Sequence, residues 1–125
     1  ATSVATSKAR KMLPESIAHS DAVRNSSNAA LLVHALAQRP DLLHTATQDF
    51  LHQSYRKEAM PQSFALLTKL RNAGVAAFIS GAGPTVLVLH TGGPSEAEEL
   101  RRAAGDKFIT TELGIARTGA SLISA

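Results

Sequence analysis

Two apolar runs, Val75-Ala76-Ala77-Phe78-Ile79 and Val86-Leu87-Val88-Leu89, stand close together in the chain. Each has strand length, and their β-branched and aromatic side chains suit a pleated surface. Between them lies Ser80-Gly81-Ala82-Gly83-Pro84-Thr85. Its glycines and proline punctuate the run, so the segment predicts a β-hairpin. Upstream the apolar spacing turns helical. Pro61 suits a first turn. Phe64, Leu66, Leu67 and Leu70 predict the buried face of the helix that follows, and Gly74 its C-terminal stop. Ser20-Asp21 offers N-cap chemistry for a long helix reaching Arg39, where Pro40 ends it. Val23, Ala30, Leu31, Val33 and Ala37 predict that helix's apolar face. Asp41 suits the cap of a further helix with Leu42, Leu43, Ala46 and Phe50 on one stripe.

The ends carry weaker patterns. Residues 1–7 are small and partly β-branched and predict a weak edge strand, and Lys8–Leu13 a helical turn that stops before Pro14. Ser95-Glu96-Ala97-Glu98 matches a capping box, so a helix is expected to start there. Its acidic residues lie in the first turn and Arg101-Arg102 in the last, as the helix dipole favours. Gly105 ends it. Phe108–Leu113 and Ala120–Ile123 predict closing strands, with Gly114 and Gly119 between them. Hairpin mixed with helices predicts an α+β fold, helices packed on one face of a mostly antiparallel sheet.

Composition narrows the classes. The 125 residues suit one domain. With 44% hydrophobic and 4% aromatic residues and no Trp, the core must come from Leu, Ala, Val and Ile. Thirteen Lys and Arg against ten Asp and Glu leave a net charge of +3, too scattered to mark a polyanion surface. One Tyr and four Phe make no stacking platform, which argues against nucleic-acid binding. The absence of Cys excludes disulfides, thiolate metal sites and a Cys nucleophile, and fits an intracellular, cytoplasmic protein. No apolar stretch has membrane-spanning length, and no signal peptide is visible. A first residue Ala1 instead of Met fits either processing or a piece of a longer protein.

Few residues carry chemistry. Of five histidines, His44 and His52 are eight apart, expected two turns apart on one helix and too distant to chelate together. No G-x-S-x-G elbow exists. Asp21, Asp41, Asp49 and Glu58 are isolated, and Glu96, Glu98 and Glu99 are explained by capping. No catalytic residue and no metal ligand is assigned. Arg10 and Arg56 remain. A guanidinium is a planar fork that matches a carboxylate in two parallel hydrogen bonds, although the pattern alone favours a solvated surface residue for each. The glycine-rich tip reads two ways as well. Bare N–H groups there suit phosphate, or the glycines simply meet a tight turn's dihedrals. It lacks the spacing and the lysine of a P-loop.

Six segments carry a resemblance: Ala9-Arg10-Lys11-Met12-Leu13-Pro14, Asp21-Ala22-Val23-Arg24-Asn25, Arg39-Pro40-Asp41-Leu42-Leu43, His52-Gln53-Ser54-Tyr55-Arg56, Leu70-Arg71-Asn72-Ala73-Gly74 and the hairpin tip Ser80–Thr85. Together they resemble the C-terminal half of the GHMP small-molecule kinases, in the homoserine kinase branch. The resemblance implies a ferredoxin-like α+β domain over residues 1–125. It also implies a separate N-terminal domain, absent from this chain, that binds ATP and Mg²⁺ and without which the chain is inactive. The implied reaction moves the γ-phosphoryl of ATP to the hydroxyl of L-homoserine, on the route to threonine. Arg10 and Arg56 match the arginines that grip the substrate carboxylate. Gly81, Ala82 and Gly83 match the family motif beside the phosphate loop. Asn28 stands where an arginine is expected. A homodimer is left open. The competing readings are a non-catalytic amino-acid-binding regulatory domain, another GHMP kinase acting on mevalonate-type or sugar substrates, and an interaction domain.

Overall fold

The structure, a computed structural model, describes residues 6–116, 118 and 119. The chain divides into two compact units, residues 1–92 and 93–125. In the first, α4 (Pro61–Asn72) opens on Pro61 and buries Ser63, Leu66, Leu67 and Leu70. That spacing is one face of a helix. Phe64, expected on the buried face, is only half-buried. The helix ends as a Schellman motif. Gly74 N–H donates to Arg71 C=O at 3.0 Å and Val75 N–H to Leu70 C=O at 3.0 Å. Gly74 supplies the left-handed dihedral, φ +82°.

The expected hairpin follows. β1 (Ala76–Ile79) and β2 (Val86–Leu89) pair antiparallel, Ala76 opposite Leu89 and Ile79 opposite Val86. Ser80 N–H donates to Thr85 C=O at 2.9 Å and Gly83 N–H to Ser80 C=O at 3.0 Å, which closes the tip. Ser63 Oγ donates to Pro84 C=O at 2.5 Å and ties the tip to α4. Both α4 and α3 (Leu43–Ala46) pack on β1. Ala35, Leu43, Ala46 and Ala76 form a core cluster, with Leu31, Leu32, Leu42 and Leu89 against it.

α2 (His19–Ala37) is the long helix, but its cap is Ala18 and no side chain caps it, so Ser20 lies inside the first turn. Its apolar face is only partly the expected one: Leu31 packs inward, but Ala30 and Ala37 are exposed. Leu31, Leu32 and Ala35 turn to the core, whereas Val23 and Val33 are 50% and 71% exposed. The polar residues Asn25 and Asn28 turn inward because each fixes a loop, as described below. The helix expected from Asp41 is reduced to a 3-10 turn (Pro40–Leu42) and the four-residue α3. Asp41 caps nothing; its carboxylate takes Arg39 at 2.8 and 2.6 Å on the surface. Thr47 Oγ1 donates back to Leu43 C=O at 2.7 Å, and the helix stops there.

At the N-terminus α1 (Thr6–Lys11) takes up Thr6 and Ser7, which were expected in a strand; residues 1–5 lie outside the described residues. A strand needs a neighbour for its N–H and C=O groups, whereas a helix closes its own.

The second unit contains α5 (Pro94–Ala104). It starts before the expected capping box. Gly93 is the N-cap, Pro94 occupies the first turn, and Ser95 makes no side-chain cap. Glu98 pairs with Arg101 at 2.5 Å and Arg102 at 3.8 Å, and Gly105 (φ +69°) ends the helix. Phe108–Leu113 forms no strand: Phe108 N–H donates back to Gly105 C=O at 3.2 Å, no strand pairs with the segment among the described residues, and Ile109 and Leu113 are exposed. The second expected closing strand, Ala120–Ile123, lies outside the described residues. The fold is α+β as expected, with a sheet of two strands among the described residues.

Candidate functional site

A cavity of about 460 Å³ opens in the first unit between α2, the α3–α4 loop and the hairpin. α2 lends it Asn25, Asn28 and Leu32, the loop Asp49, His52, Gln53 and Arg56, and the hairpin Phe78, Ile79, Gly81 and Ala82. The loop, residues 47–60, has one turn of 3-10 helix, Lys57–Ala59, as its sole regular structure. Side chains hold the rest.

Asp49 is the centre of that work. Its carboxylate accepts the N–H groups of Leu51, His52 and Gln53 at 3.4, 2.8 and 2.6 Å. The His52 ring meets it through Nδ1 at 2.9 Å. Burial pushes the Asp49 carboxyl up. The Gln53 N–H, the His52 ring and the His52 N–H outweigh it and hold the group below the ordinary carboxylate range. From α2, Asn25 Oδ1 accepts the Phe50 N–H at 3.1 Å, and Asn28 Nδ2 donates to Gln48 C=O at 3.2 Å. The Arg24 guanidinium lies over the Phe50 ring, 5.6 Å from its centre, in cation–π range.

The loop is then tied to the hairpin and to α1. Gln53 Oε1 accepts the Ile79 N–H at 2.5 Å. Arg56 Nε donates to Ala9 C=O at 3.2 Å, and its Nη1 to Gly81 C=O at 3.4 Å. Its Nη2 makes no hydrogen bond among the described residues, so part of the donor fork stays free. Beneath the loop Arg71 is a framework residue. Nη1 donates to Ala77 C=O at 2.8 Å and to Thr47 Oγ1 at 3.1 Å, and Nη2 to His44 C=O at 2.6 Å. Burial lowers its pKa, because the charged form loses water there.

The residues singled out from the sequence divide. Arg56, Gly81 and Ala82 line the cavity. Arg10 is exposed on α1 and does not line it, but the residue before it, Ala9, accepts the Arg56 bond. Gly83 is not a lining residue. A Cβ there would stand 2.6 Å from Met60 Sδ and 3.2 Å from Ile79 Cγ2, at φ +82°. Its dihedral favours glycine, and any Cβ there would also have to displace the end of the Met60 side chain. Asn28, in place of the expected arginine, is an anchor of the loop. His44 belongs to α3 and His52 to the loop, so they do not share a helix. Asp49, Gln53 and Asn25 were missed. An Asp followed closely by the N–H groups it caps is a recognisable turn signal, but Asp49 carries no other sequence mark. The Gln53–Ile79 bond spans 26 positions and leaves none. Chemically, a fixed guanidinium with free donors among amides and apolar walls suits recognition of a small carboxylate.

The family described as GHMP kinases C terminal matches residues 27–110, and the chain belongs to that family. Its similarity to homoserine kinases extends further along the chain. It is 48% identical over 120 residues to a homoserine kinase of Streptomyces avermitilis, covering 96% of this chain and 39% of that protein. To a homoserine kinase of Leifsonia xyli it is 57% identical over 86 residues, 69% of this chain and 27% of the relative. The chain thus spans well under half the length of these relatives. The crystal structure of homoserine kinase from Cytophaga hutchinsonii superposes with a TM-score of 0.72 at 30% identity, over 82% of this chain and 33% of that one. No helix among the described residues is long and apolar enough to cross a membrane.

Proposed function

We propose that this chain is the substrate-side part of a cytoplasmic homoserine kinase, which transfers the γ-phosphoryl of ATP to the hydroxyl of L-homoserine. Arg56 and Arg10 hold the substrate carboxylate, Gly81 and Ala82 form the wall beside the phosphates, and Gly83 backs that wall against Met60. One observation carries the reading: Arg56 spans from the α1 backbone beside Arg10 to the hairpin tip at Gly81, at the edge of the cavity, with Nη2 unbonded among the described residues. Phosphoryl transfer asks a protein mainly for positioning and charge stabilisation. A guanidinium braced at two carbonyls supplies positioning.

The residues here do not fit a Mg²⁺ site. No three acidic or imidazole ligands cluster among the described residues, and both Asp49 oxygens are engaged. The proposal therefore assigns nucleotide and metal to an N-terminal domain joined ahead of residue 1. Bound there, they supply the phosphoryl group and neutralise its charge.

The test joins this chain to the N-terminal part of the Streptomyces avermitilis relative. The hybrid is assayed with homoserine, mevalonate and sugars. ATP-dependent phosphorylation of homoserine alone is expected. Turnover of a substrate without an α-amino acid group would point to another GHMP kinase. Tight homoserine binding by the isolated chain in calorimetry, with no turnover in the hybrid, would point to a regulatory amino-acid-binding domain.

A further inference from the structure

Arg56 sits in a loop with little regular structure, so something else must fix its direction. The chain of contacts starts at one carboxylate. Asp49 accepts the N–H groups of residues 51, 52 and 53 and sets the orientation of those peptides. The carbonyls of the same stretch receive the next turn: Arg56 N–H donates to His52 C=O at 3.2 Å and Gln53 C=O at 3.3 Å. Gln53, held by that turn, grips Ile79 N–H at the base of the hairpin tip. Arg56 grips Gly81 within it.

We infer that Asp49 is a positioning residue: it aims the Arg56 fork and fixes the hairpin tip against it. It does not touch substrate, since both its oxygens are already engaged by the loop. The inference rests on the homoserine kinase reading for its kinetic consequence, but its structural half stands apart from that reading. Asp49→Asn is the suitable perturbation. The amide keeps the size, yet its NH₂ end cannot accept, so the bonds made by one of the two oxygens are lost.

Two measurements test it. In the full-length kinase, Asp49→Asn is expected to raise the homoserine KM by about 10- to 100-fold, the cost of a misaimed binding group, with kcat and the ATP KM nearly unchanged. A merely structural defect would lower the amount of folded enzyme and leave both KM values alone. Gln53→Leu, which removes only the Ile79 link, is the milder variant and is expected to raise the homoserine KM by less. In the isolated chain, Asp49→Asn is expected to speed amide exchange at Ile79 at least about tenfold relative to Leu70 in α4, which reports global opening. Parallel acceleration at both amides would overturn the positioning role. So would an unchanged homoserine KM in Asp49→Asn alongside a raised one in Arg56→Ala. An unchanged KM in Arg56→Ala would instead overturn the carboxylate reading, and the exchange result would still decide the role of Asp49.

Discussion

Gly83→Ala separates two reasons for a glycine at the hairpin tip. The new Cβ would lie 2.6 Å from Met60 Sδ, 2.8 Å from Met60 Cε and 3.2 Å from Ile79 Cγ2. Met60 is 4% exposed and Ile79 8%, and both border the cavity, so the clash is relieved only if the Met60 thioether end swings away from its packed position. Forcing an extra methyl into such a place costs about 1–3 kcal/mol. The backbone, at φ +82°, adds about 1–2 kcal/mol for any L side chain. The expected loss is thus about 2–5 kcal/mol, a large part of the roughly 5–15 kcal/mol that holds a small domain folded. Gly81→Ala is the control. It has positive φ as well, +58°, but nothing within 4 Å of its Cβ, so only the dihedral cost of about 1 kcal/mol remains. Urea unfolding of both variants, read at constant m, gives the difference directly. Pairing Gly83→Ala with Met60→Ala removes the clash, so the double variant should be less destabilised than the sum by about 1–3 kcal/mol. Equal losses in the two alanine variants, or strict additivity in the pair, would refute the packing explanation. Gly83 would then be a plain turn residue like Gly81.

The remaining predictions concern the frame of the site. Arg71→Met should destabilise the chain by about 1–3 kcal/mol in urea unfolding, because the partly buried carbonyls of His44 and Ala77 lose a charged donor. Arg71→Lys should recover little, since one ammonium cannot span both carbonyls. The lowered pKa of Asp49 fixes a pH response. Its contribution is fully present above the unfolded carboxylate value of about 3.9 and is lost as pH falls through the still lower folded value. Stability measured from pH 7 downward should therefore hold until near pH 4 and then drop, and Asp49→Asn should flatten that acid limb. A variant with the same acid limb as the parent would show that the carboxylate is not what titrates.

Elements fixed by local rules were legible in the sequence. α4 has proline at one end, glycine at the other and leucines at helical spacing between them. The hairpin has two apolar runs and a tip rich in glycine. Both appear with boundaries close to those expected. The apolar face of α2 was misread for a physical reason. Asn25 and Asn28 look like solvent-facing residues, but they turn inward because each satisfies a backbone group of the α3–α4 loop. Val23 and Val33 are left outside. The helix starts were displaced too. Ser20 and Ser95 are good caps by type, yet the N-cap of α2 is Ala18 and that of α5 is Gly93. The site loop was the least legible part. Its order comes from Asp49, Gln53 and Arg56 reaching partners as far as 47 positions away, and no periodicity records such bonds. Arg56, Gly81 and Ala82 could be named because short motifs carried them; the residues that hold them in place could not.

The proposed account turns on two arginines binding one acid, and steady-state kinetics of the hybrid with the Streptomyces avermitilis N-terminal part tests that most directly. Arg10→Ala and Arg56→Ala should each raise the homoserine KM by roughly 30- to 150-fold, the loss of about 2–3 kcal/mol for a truncated charged contact. The ATP KM should not move. A change confined to the ATP KM, or an unaltered homoserine KM in both variants, would contradict the account.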